Sequence, residues 1–479
     1  MNAFYITTTL PYVNADPHMG HALEFIQADT IARYFRNKLG KDQVFFNLGT
    51  DEHGLKIYQK AQENTLSPQE FVDHFAKRFQ EFCSQFSISY DNFYRTSSAE
   101  HTATVYKMWQ TCLDKGDIYK KQYEGLYCVG CESFKTPKDL VDGLCPDHGV
   151  APLHIAEENY FFKLSKYREE LLAYFKQNPD FLSPSARLKE LENFVMEMED
   201  ISISRSQEKV PWGIPVPNDP EQSIYVWFDA LPNYIGAIGY GSNQEKFEKF
   251  WPGVQIFGPD NLRFQCAIWQ GMLASCGLPF TQKALMHGTI LDGEGKKMSK
   301  SLGNVVSPFE QIEKFGLDYV RYYVGAVLPT FGNSAYKESD LKDMCNAALA
   351  DTYGNLLSRV VHLANAKEVE INAYDRVEES FQTTVQELQQ KAESCFDRFE
   401  LSEAYKIVNE LGIFANKYIV EQAPWKIEDK VSIEKVLNNL SYALHVLNAL
   451  YEPIIPDAAK KASEALASRE KIVLFPKIL

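Results

Sequence analysis

The chain has 479 residues, a net charge of −15, and an apolar fraction of 45% beside 24% charged residues. This length exceeds one ordinary core, so two to four domains are expected, in a composition typical of globular proteins and not of disordered or fibrous ones. The charge argues against indiscriminate polyanion binding, and no apolar run approaches the ~20 residues that cross a bilayer.

The N-terminus, Met1-Asn2-Ala3-Phe4-Tyr5-Ile6, has neither a basic leader nor a small-residue cleavage site. Three of the nine cysteines cluster at 128–145, while Cys83, Cys112, Cys266, Cys276, Cys345 and Cys395 are scattered in apolar contexts. That is no disulfide framework, and a reducing, cytoplasmic location is expected.

Phe4 to Thr9 is a β-branched and aromatic run that predicts a buried strand. Two prolines with Asn and Asp over 10–17 then predict a loop, and from His18 the pattern turns helical with Pro17 suited to the first position. Strand, loop, helix is how doubly wound folds set a phosphate at a helix N-terminus. His18 and His21, three apart, share a face of that first turn, and Gly20 leaves room for a base or ribose against the backbone. The same residues also read as a plain helix start with incidental histidines. A second strand, Asp42 to Leu48, leads into Gly49-Thr50-Asp51-Glu52-His53-Gly54. A carboxylate at that strand end suits an α-ammonium group, and equally a helix cap.

Cys128-x2-Cys131, thirteen further residues, then Cys145-x2-His148 is a strong metal pattern. Three thiolates and an imidazole on two tight knuckles match one tetrahedral, structural Zn²⁺ with no open position. The insertion carrying them runs from about 115 to about 223, hardly room for a hydrolytic editing domain as well.

Ser223 to Phe228 is strand-like and runs into Trp227-Phe228-Asp229-Ala230-Leu231-Pro232-Asn233-Tyr234. Trp227 and Tyr234 near one strand end suit enclosure of a polarizable thioether, or are ordinary core. Val254 to Phe257 is another strand, ending in Gly258-Pro259-Asp260, where the aspartate is placed for a ribose hydroxyl. Met286-His287-Gly288 precedes a hairpin-like 290–295 and then Lys297-Met298-Ser299-Lys300-Ser301. Ser307-Pro308-Phe309-Glu310 closes that loop as a capping box with proline at the first helical position. From about 341 the pattern is helical. Leu356, Val360 and Leu363 form one stripe, with Asn355 and Arg359 on another face. Ala404, Ile407, Leu411, Phe414 and Tyr418 mark a helix over 402–422 that stops at Pro424 beside Trp425. An amide, a guanidinium and an indole suit unstacked RNA bases, or are a surface polar pair and a core tryptophan. Residues 340–479 carry 16 basic against 22 acidic side chains, so RNA must meet a local basic or aromatic patch there.

His18-Met19-Gly20-His21 followed some 276 residues later by the lysine loop is a pairing that suits a grip on a triphosphate from both sides. It resembles the paired signatures of class I aminoacyl-tRNA synthetases. With Thr9-Leu10-Pro11-Tyr12-Val13-Asn14, Tyr225-Val226-Trp227-Phe228-Asp229-Ala230 and Glu421-Gln422-Ala423-Pro424-Trp425, the chain is similar throughout to the methionine-specific family. The resemblance implies a methionine pocket of Leu10, Tyr12, Asp51, Trp227, Ala230, Tyr234 and His287, with Asp51 on the amino group. It implies ATP held by His18, Gly20, His21, Asp260, Lys297 and Lys300, of which the two histidines and two lysines are catalytic. Asn355, Arg359 and Trp425 would read the anticodon, and Cys128, Cys131, Cys145 and His148 would hold one structural Zn²⁺. Mg²⁺ would accompany ATP; L-methionine and the methionine tRNAs, initiator included, would be the partners, with no membrane.

The implied architecture is an α/β, doubly wound parallel catalytic domain split by a zinc-binding insertion and followed by an α-helical bundle. Its expected boundaries are 1–114, 115–223 and 224–291, then 292–340 for the lysine loop and stem contact, and 341–479 for the anticodon bundle. Lys297 and Lys300 would stabilise charge as pyrophosphate leaves, and no catalytic base is needed because the attacking carboxylate is already anionic.

Two departures stand out. Pro259 replaces the family's usual lysine before Asp260, and Gln265 replaces the usual histidine after Phe264. No oligonucleotide-binding module is expected beyond the bundle, which predicts a monomer. Cysteine-specific relatives carry metal beside the first signature, and no cysteine lies near His18. Branched-chain enzymes need a larger editing insertion. A non-catalytic RNA scaffold should have lost a residue at 18, 21, 297 or 300, and a ligase acting on small molecules needs no anticodon helices.

Overall fold

The computed structural model describes residues 3–131, 133–135, 137–298 and 304–478. The chain divides into two compact units: Met1–Pro17, Asp42–Ser84 and Tyr90–Met286 in one, His18–Lys41, Gln85–Ser89 and His287–Leu479 in the other.

The first unit is built on six parallel strands: β1 (Phe4–Thr8), β2 (Val44–Thr50), β3 (Asn92–Arg95), β4 (Leu182–Ser183), β5 (Val254–Phe257) and β6 (Lys283–Met286). Their spatial order is β3-β2-β1-β5-β6-β4. Every residue of β1 and β5 is buried, which explains the unbroken apolar and β-branched run of β1 and the apolar residues that flank the buried Gln255 in β5. Strand order runs one way from β1 and the other from β5, so the crevice past their C-terminal ends is a topological switch point, where such sheets bind ligands. Leu10–Tyr12 and Gly258–Asp260 leave the sheet there, as Asp51 does from neighbouring β2.

Between β3 and β5 the chain adds a four-stranded antiparallel sheet of Ser133–Lys135, Ile118–Cys128, Leu153–Phe162 and Ile201–Ser202. A three-stranded sheet of Pro215–Val216, Asp219–Ile224 and Ser204–Ser206 follows. The segment is not self-contained, because β4 returns from it to pair with β6. Trp109, Phe162, Phe228 and Trp269 lie in the buried core of this unit.

Expected and observed elements differ at two places here. β2 begins at Val44, after a 3-10 turn over Lys41–Gln43. The strand expected over 223–228 ends at Ile224, and Val226–Ala230 is a short helix. The aromatic run has strand propensity, but Asp229 is drawn between two buried histidines and the backbone turns to deliver it.

In the second unit the helix Met19–Leu39 accompanies a set that includes Asn355–Ala366, Glu379–Asp397, Leu401–Gln422 and Lys430–Tyr451. Arg321 is fully buried and donates to Asp29 Oδ2, Phe86 O and Ile454 O, each at 2.7 Å. Burial opposes the Asp29 charge, yet Arg321, Arg33 and Ser89 hold its carboxyl below the usual range. A buried charge persists when its partners are this complete.

Proline 17 does not occupy the first helical position: His18 is the N-cap and Met19 begins the helix. In Leu401–Gln422 the fully buried stripe is Ala404, Tyr405, Val408, Leu411, Ala415 and Ile419. Ile407, Phe414 and Tyr418 flank it half-buried, the last two against the Phe381 ring at 5.1 and 4.6 Å. Among the described residues no helix is long and apolar enough to cross a membrane.

Candidate active site, metal centre and RNA-facing cluster

In the first unit, the loop after β1 is zipped to the end of β2. Asp51 N donates to Pro11 O at 2.9 Å, and Val13 N donates to Asp51 O at 3.2 Å. Tyr12 and Asp51 therefore pair side by side, with Asp51 buried and Tyr12 half-buried. Gly49 is required where β2 passes close to β3 and Leu10: a Cβ there would lie 2.1 Å from Tyr94 O and 3.0 Å from Leu10 Cδ2.

The residues after Asp51 are anchors and not a simple helix cap. Glu52 is fully buried and takes a two-pronged ion pair from Arg95 at 2.7 and 2.9 Å, plus the Thr50 hydroxyl at 2.5 Å. His53 Nδ1 lies 2.6 Å from Asp229 Oδ2, and His101 Nε2 lies 2.8 Å from Asp229 Oδ1. All three side chains are buried. Burial works against both charges, but Asp229 pulls His53 above its ordinary range, while the two imidazoles hold Asp229 below its own. Asp229 lies between Trp227 and Ala230 on one short helix, so this link ties the Asp51 loop to that helix.

Trp227 stacks on Phe264 at 3.6 Å and 10°. Tyr234 is buried, its hydroxyl accepting from Gln265 Nε2 at 2.5 Å and its carbonyl accepting from Tyr5 at 2.6 Å. Gln265 thus keeps a donor on Tyr234 where the family's usual residue is histidine. Asp260 is exposed on the turn Pro259–Asn261.

In the second unit, the two signature histidines are held by the helix start itself. His18 Nδ1 accepts from Gly20 N at 3.1 Å, and His21 Nδ1 accepts from His18 N at 3.1 Å. The rings stack at 3.7 Å and 16°. Each Nδ1 acts as an acceptor, so a neutral ring carries its proton on Nε2. Burial first, then the neighbouring His18 and His287, push the His21 pKa well below its ordinary value, so that ring is neutral near pH 7.

His287 is buried with Nε2 2.9 Å from Glu24 Oε2 and Nδ1 2.8 Å from Gly288 O. Glu24 and His101 escaped sequence reading. Glu24 had one signal, its place one turn after His21 on a face with no other reason to bury a carboxylate. His101 belongs to no motif.

Lys297 is exposed and bridges Leu291 in antiparallel fashion, closing the expected hairpin. Asn304 donates to Asp292 Oδ2 at 2.7 Å, pinning the far side of the lysine loop to its near side. Lys300, with Ser299 and Ser301, lies outside the described residues. Ser307 accepts from Glu310 N at 3.4 Å with Pro308 at the first helical position, which is the N-cap half of the expected capping box.

The four metal-type residues converge: the ligand atoms of Cys128, Cys131, Cys145 and His148 lie within 4.8 Å of one another. Cys131 and Cys145 sulfurs are 3.5 Å apart, with His148 Nδ1 3.4 Å from the former and 3.8 Å from the latter. Such edges suit a tetrahedron around Zn²⁺ with bonds of about 2.0–2.3 Å. Gly130 is fitted to that closeness, because a Cβ there would meet the His148 ring at 2.4 Å. This cluster can hold one zinc ion.

At the end of the helix Leu401–Gln422, Ala423 adopts a left-handed conformation (φ 43°) and Pro424 starts a 3-10 turn that carries Trp425. Trp425 is 45% exposed, too much for a core tryptophan. The Arg359 guanidinium carbon sits 5.7 Å from its ring centroid, within cation–π range. Asn355, four residues before Arg359 on the same helix, is exposed.

Comparison with known proteins agrees over the full length. Residues 4–152 and 136–361 match the family model described as tRNA synthetases class I (M), and 370–476 match that of the anticodon binding domain of methionyl tRNA ligase. The chain is 40% identical to a methionine–tRNA ligase of Caldanaerobacter subterraneus, covering 98% of this chain and 75% of the relative. It is also 40% identical to a chloroplastic/mitochondrial methionine–tRNA ligase of Arabidopsis thaliana over 95% of this chain and 75% of that one. Mycobacterium tuberculosis methionyl-tRNA synthetase, solved in complex with methionyl-adenylate, superimposes with a TM-score of 0.90 at 32% identity. That match covers 97% of this chain and 94% of that one.

Proposed function

The chain belongs to the methionyl-tRNA synthetases of class I, and from that premise we propose how its own residues divide the work. The activity is that of a methionine–tRNA ligase. The methionine carboxylate attacks the α-phosphorus of ATP, giving methionyl-adenylate and pyrophosphate. The hydroxyl of the terminal tRNA adenosine then takes the methionyl group and AMP leaves.

Asp51 receives the α-ammonium group. Leu10, Tyr12, Trp227, Ala230, Tyr234 and His287 enclose the side chain, the aromatic rings suiting a polarizable sulfur. Gln265 donates to the Tyr234 oxygen and so fixes the ring that lines the thioether side of the pocket. His18 and His21 present Nε2–H donors to the triphosphate, oriented by the same two backbone bonds that cap their helix. Gly20 keeps the backbone open beside the nucleotide, Asp260 takes the ribose, and Lys297 and Lys300 balance the charge that moves onto pyrophosphate. Mg²⁺ arrives with ATP as part of that substrate. Zinc, when bound by the four-residue cluster, ties two knuckles together and has no part in the reaction.

Asn355, Arg359 and Trp425 offer an amide, a cation and an aromatic face to unstacked anticodon bases. A cytoplasmic monomer is the setting this reading adopts, and sedimentation of the purified protein at one chain mass checks the second term.

The full-length likeness to a methionyl-adenylate complex carries this reading most directly. ATP–pyrophosphate exchange measured with each of the twenty amino acids should respond to methionine alone; a comparable response to another amino acid overturns it. For the metal, analysis of purified protein should return about one zinc per chain. Cys145→Ala should lose the ion and expose the 115–160 region to protease; a metal-free wild type of unchanged stability contradicts the zinc assignment.

A further inference from the structure

We propose that Cys112 and Cys276 form a peroxide-responsive dithiol whose closure into a disulfide suppresses methionine activation. The effect on activity rests on the pocket reading above; formation of the bond does not. Cys112 is buried on the helix Ala99–Asp114, and Cys276 is half-buried at the C-terminal cap of the helix Trp269–Ser275. Their sulfurs lie 3.7 Å apart. Lys115 reaches the same helix end, donating to Ala274 O at 3.0 Å.

The two thiols are unequal. The hydrogen bond from Cys112 leads in lowering Cys276; burial and Asp117 oppose this, and Tyr240 and Lys115 add to it. The hydrogen bond to Cys276, and then burial, push Cys112 well above its ordinary value. A half-buried thiol of lowered pKa in contact with a buried partner of raised pKa is the arrangement in which a first cysteine is oxidised and a second resolves it.

The chemistry balances with hydrogen peroxide as the oxidant. The Cys276 thiolate attacks one peroxide oxygen, the O–O bond breaks, and the departing hydroxide takes a proton to leave as water. The Cys112 sulfur then attacks the resulting sulfenic sulfur. The S–O bond breaks, and a second water leaves with the Cys112 proton. Two thiols lose two electrons, and one peroxide becomes two waters.

A disulfide requires about 2.05 Å between the sulfurs, so they must close by about 1.6 Å. The helix Ala99–Asp114 carries His101, which holds Asp229. The helix Trp269–Ser275 continues from the π-helical segment Phe264–Ile268, whose Phe264 and Gln265 touch Trp227 and Tyr234. Drawing the two helices together therefore shifts both walls of the pocket.

The test starts from zinc-loaded, reduced protein whose methionine-dependent exchange has been measured, which examines the pocket reading before any oxidant is added. After hydrogen peroxide treatment and alkylation, non-reducing peptide mapping should find Cys112 joined to Cys276. The methionine KM should rise tenfold or more and return on adding a dithiol reductant. Cys276→Ser and, separately, Cys112→Ala should form no such cross-link and keep their KM under peroxide. Oxidation of Cys276 to sulfinic acid with no cross-link overturns the proposal. So does a cross-link that leaves KM unchanged, or a KM rise that persists in Cys276→Ser.

Discussion

The proposed amino-acid pocket and the proposed RNA-facing cluster would solve recognition in opposite ways. Next to Asp51 and Trp227, two buried carboxylates are answered by ion-pair partners: Glu52 by the half-buried Arg95, and Asp229 by the buried His53 and His101. Around Trp425 the indole is left 45% exposed, with one cation over its ring. On that proposal a small, largely apolar substrate would be selected by walls fixed before it arrives. RNA bases bring their own faces and need a platform in water. The two regions lie in different compact units, so damage to each should appear in a different assay.

Asp229→Asn breaks the comparison hardest on the pocket side. Removing the anion between two buried imidazoles should cost on the order of 3–5 kcal/mol of stability. It should also raise the methionine KM while leaving the KM for tRNA unchanged. Urea unfolding and steady-state kinetics check the two parts, and an unchanged methionine KM would mean that the His53–Asp229–His101 link does not position the pocket.

Lys300→Ala should act on the transition state, slowing adenylate formation by ~10²–10³, typical of a lost electrostatic donor. Methionine affinity should stay near wild type, as single-turnover exchange and equilibrium binding would show. A large rise in methionine Kd at an unchanged chemical rate would make the loop a part of the pocket wall.

The same link predicts a pH window. His53 is raised in the folded protein, so its contribution is complete below its unfolded pKa and disappears as pH rises through the folded one. Asp229 is lowered, so its contribution is present above the unfolded carboxylate pKa and is lost as pH falls through the folded one. Unfolding midpoints should therefore pass over a plateau in the mildly acidic range, between the unfolded carboxylate value of about 4 and the unfolded imidazole value of about 6.5, and fall on both sides. His53→Asn should remove this pair's share of the alkaline fall; an unaltered alkaline limb in that variant contradicts the assignment.

How far these two regions could be read beforehand depended on how local their chemistry is. The zinc cluster was plain because four ligands fall within 21 residues and metal geometry dictates their spacing. The histidine pair is just as local but reads equally as a plain helix start, and only the lysine loop far downstream gave it meaning. The pocket's supports were hidden: Asp229, His53 and His101 meet across 176 residues, and nothing in the pattern around His101 marks it. Tertiary demand also overrode local propensity, turning the aromatic run at 226–230 into a helix to place Asp229. At the histidine helix, a side-chain cap by His18 displaced the expected role of Pro17. Trp425 was ambiguous because an indole after a proline looks alike in a core and on a surface, and only its exposure distinguishes them.

The smallest effect is also the most direct test of the claim that methionine activation and RNA reading are separate. Trp425→Ala should be assayed in parallel for tRNA aminoacylation and for ATP–pyrophosphate exchange, with circular dichroism confirming the fold. Losing one stacking platform should lower aminoacylation efficiency by the equivalent of ~1–3 kcal/mol, while exchange stays at the wild-type rate. Equal losses in both assays with the fold intact would contradict the account and make Trp425 a structural residue.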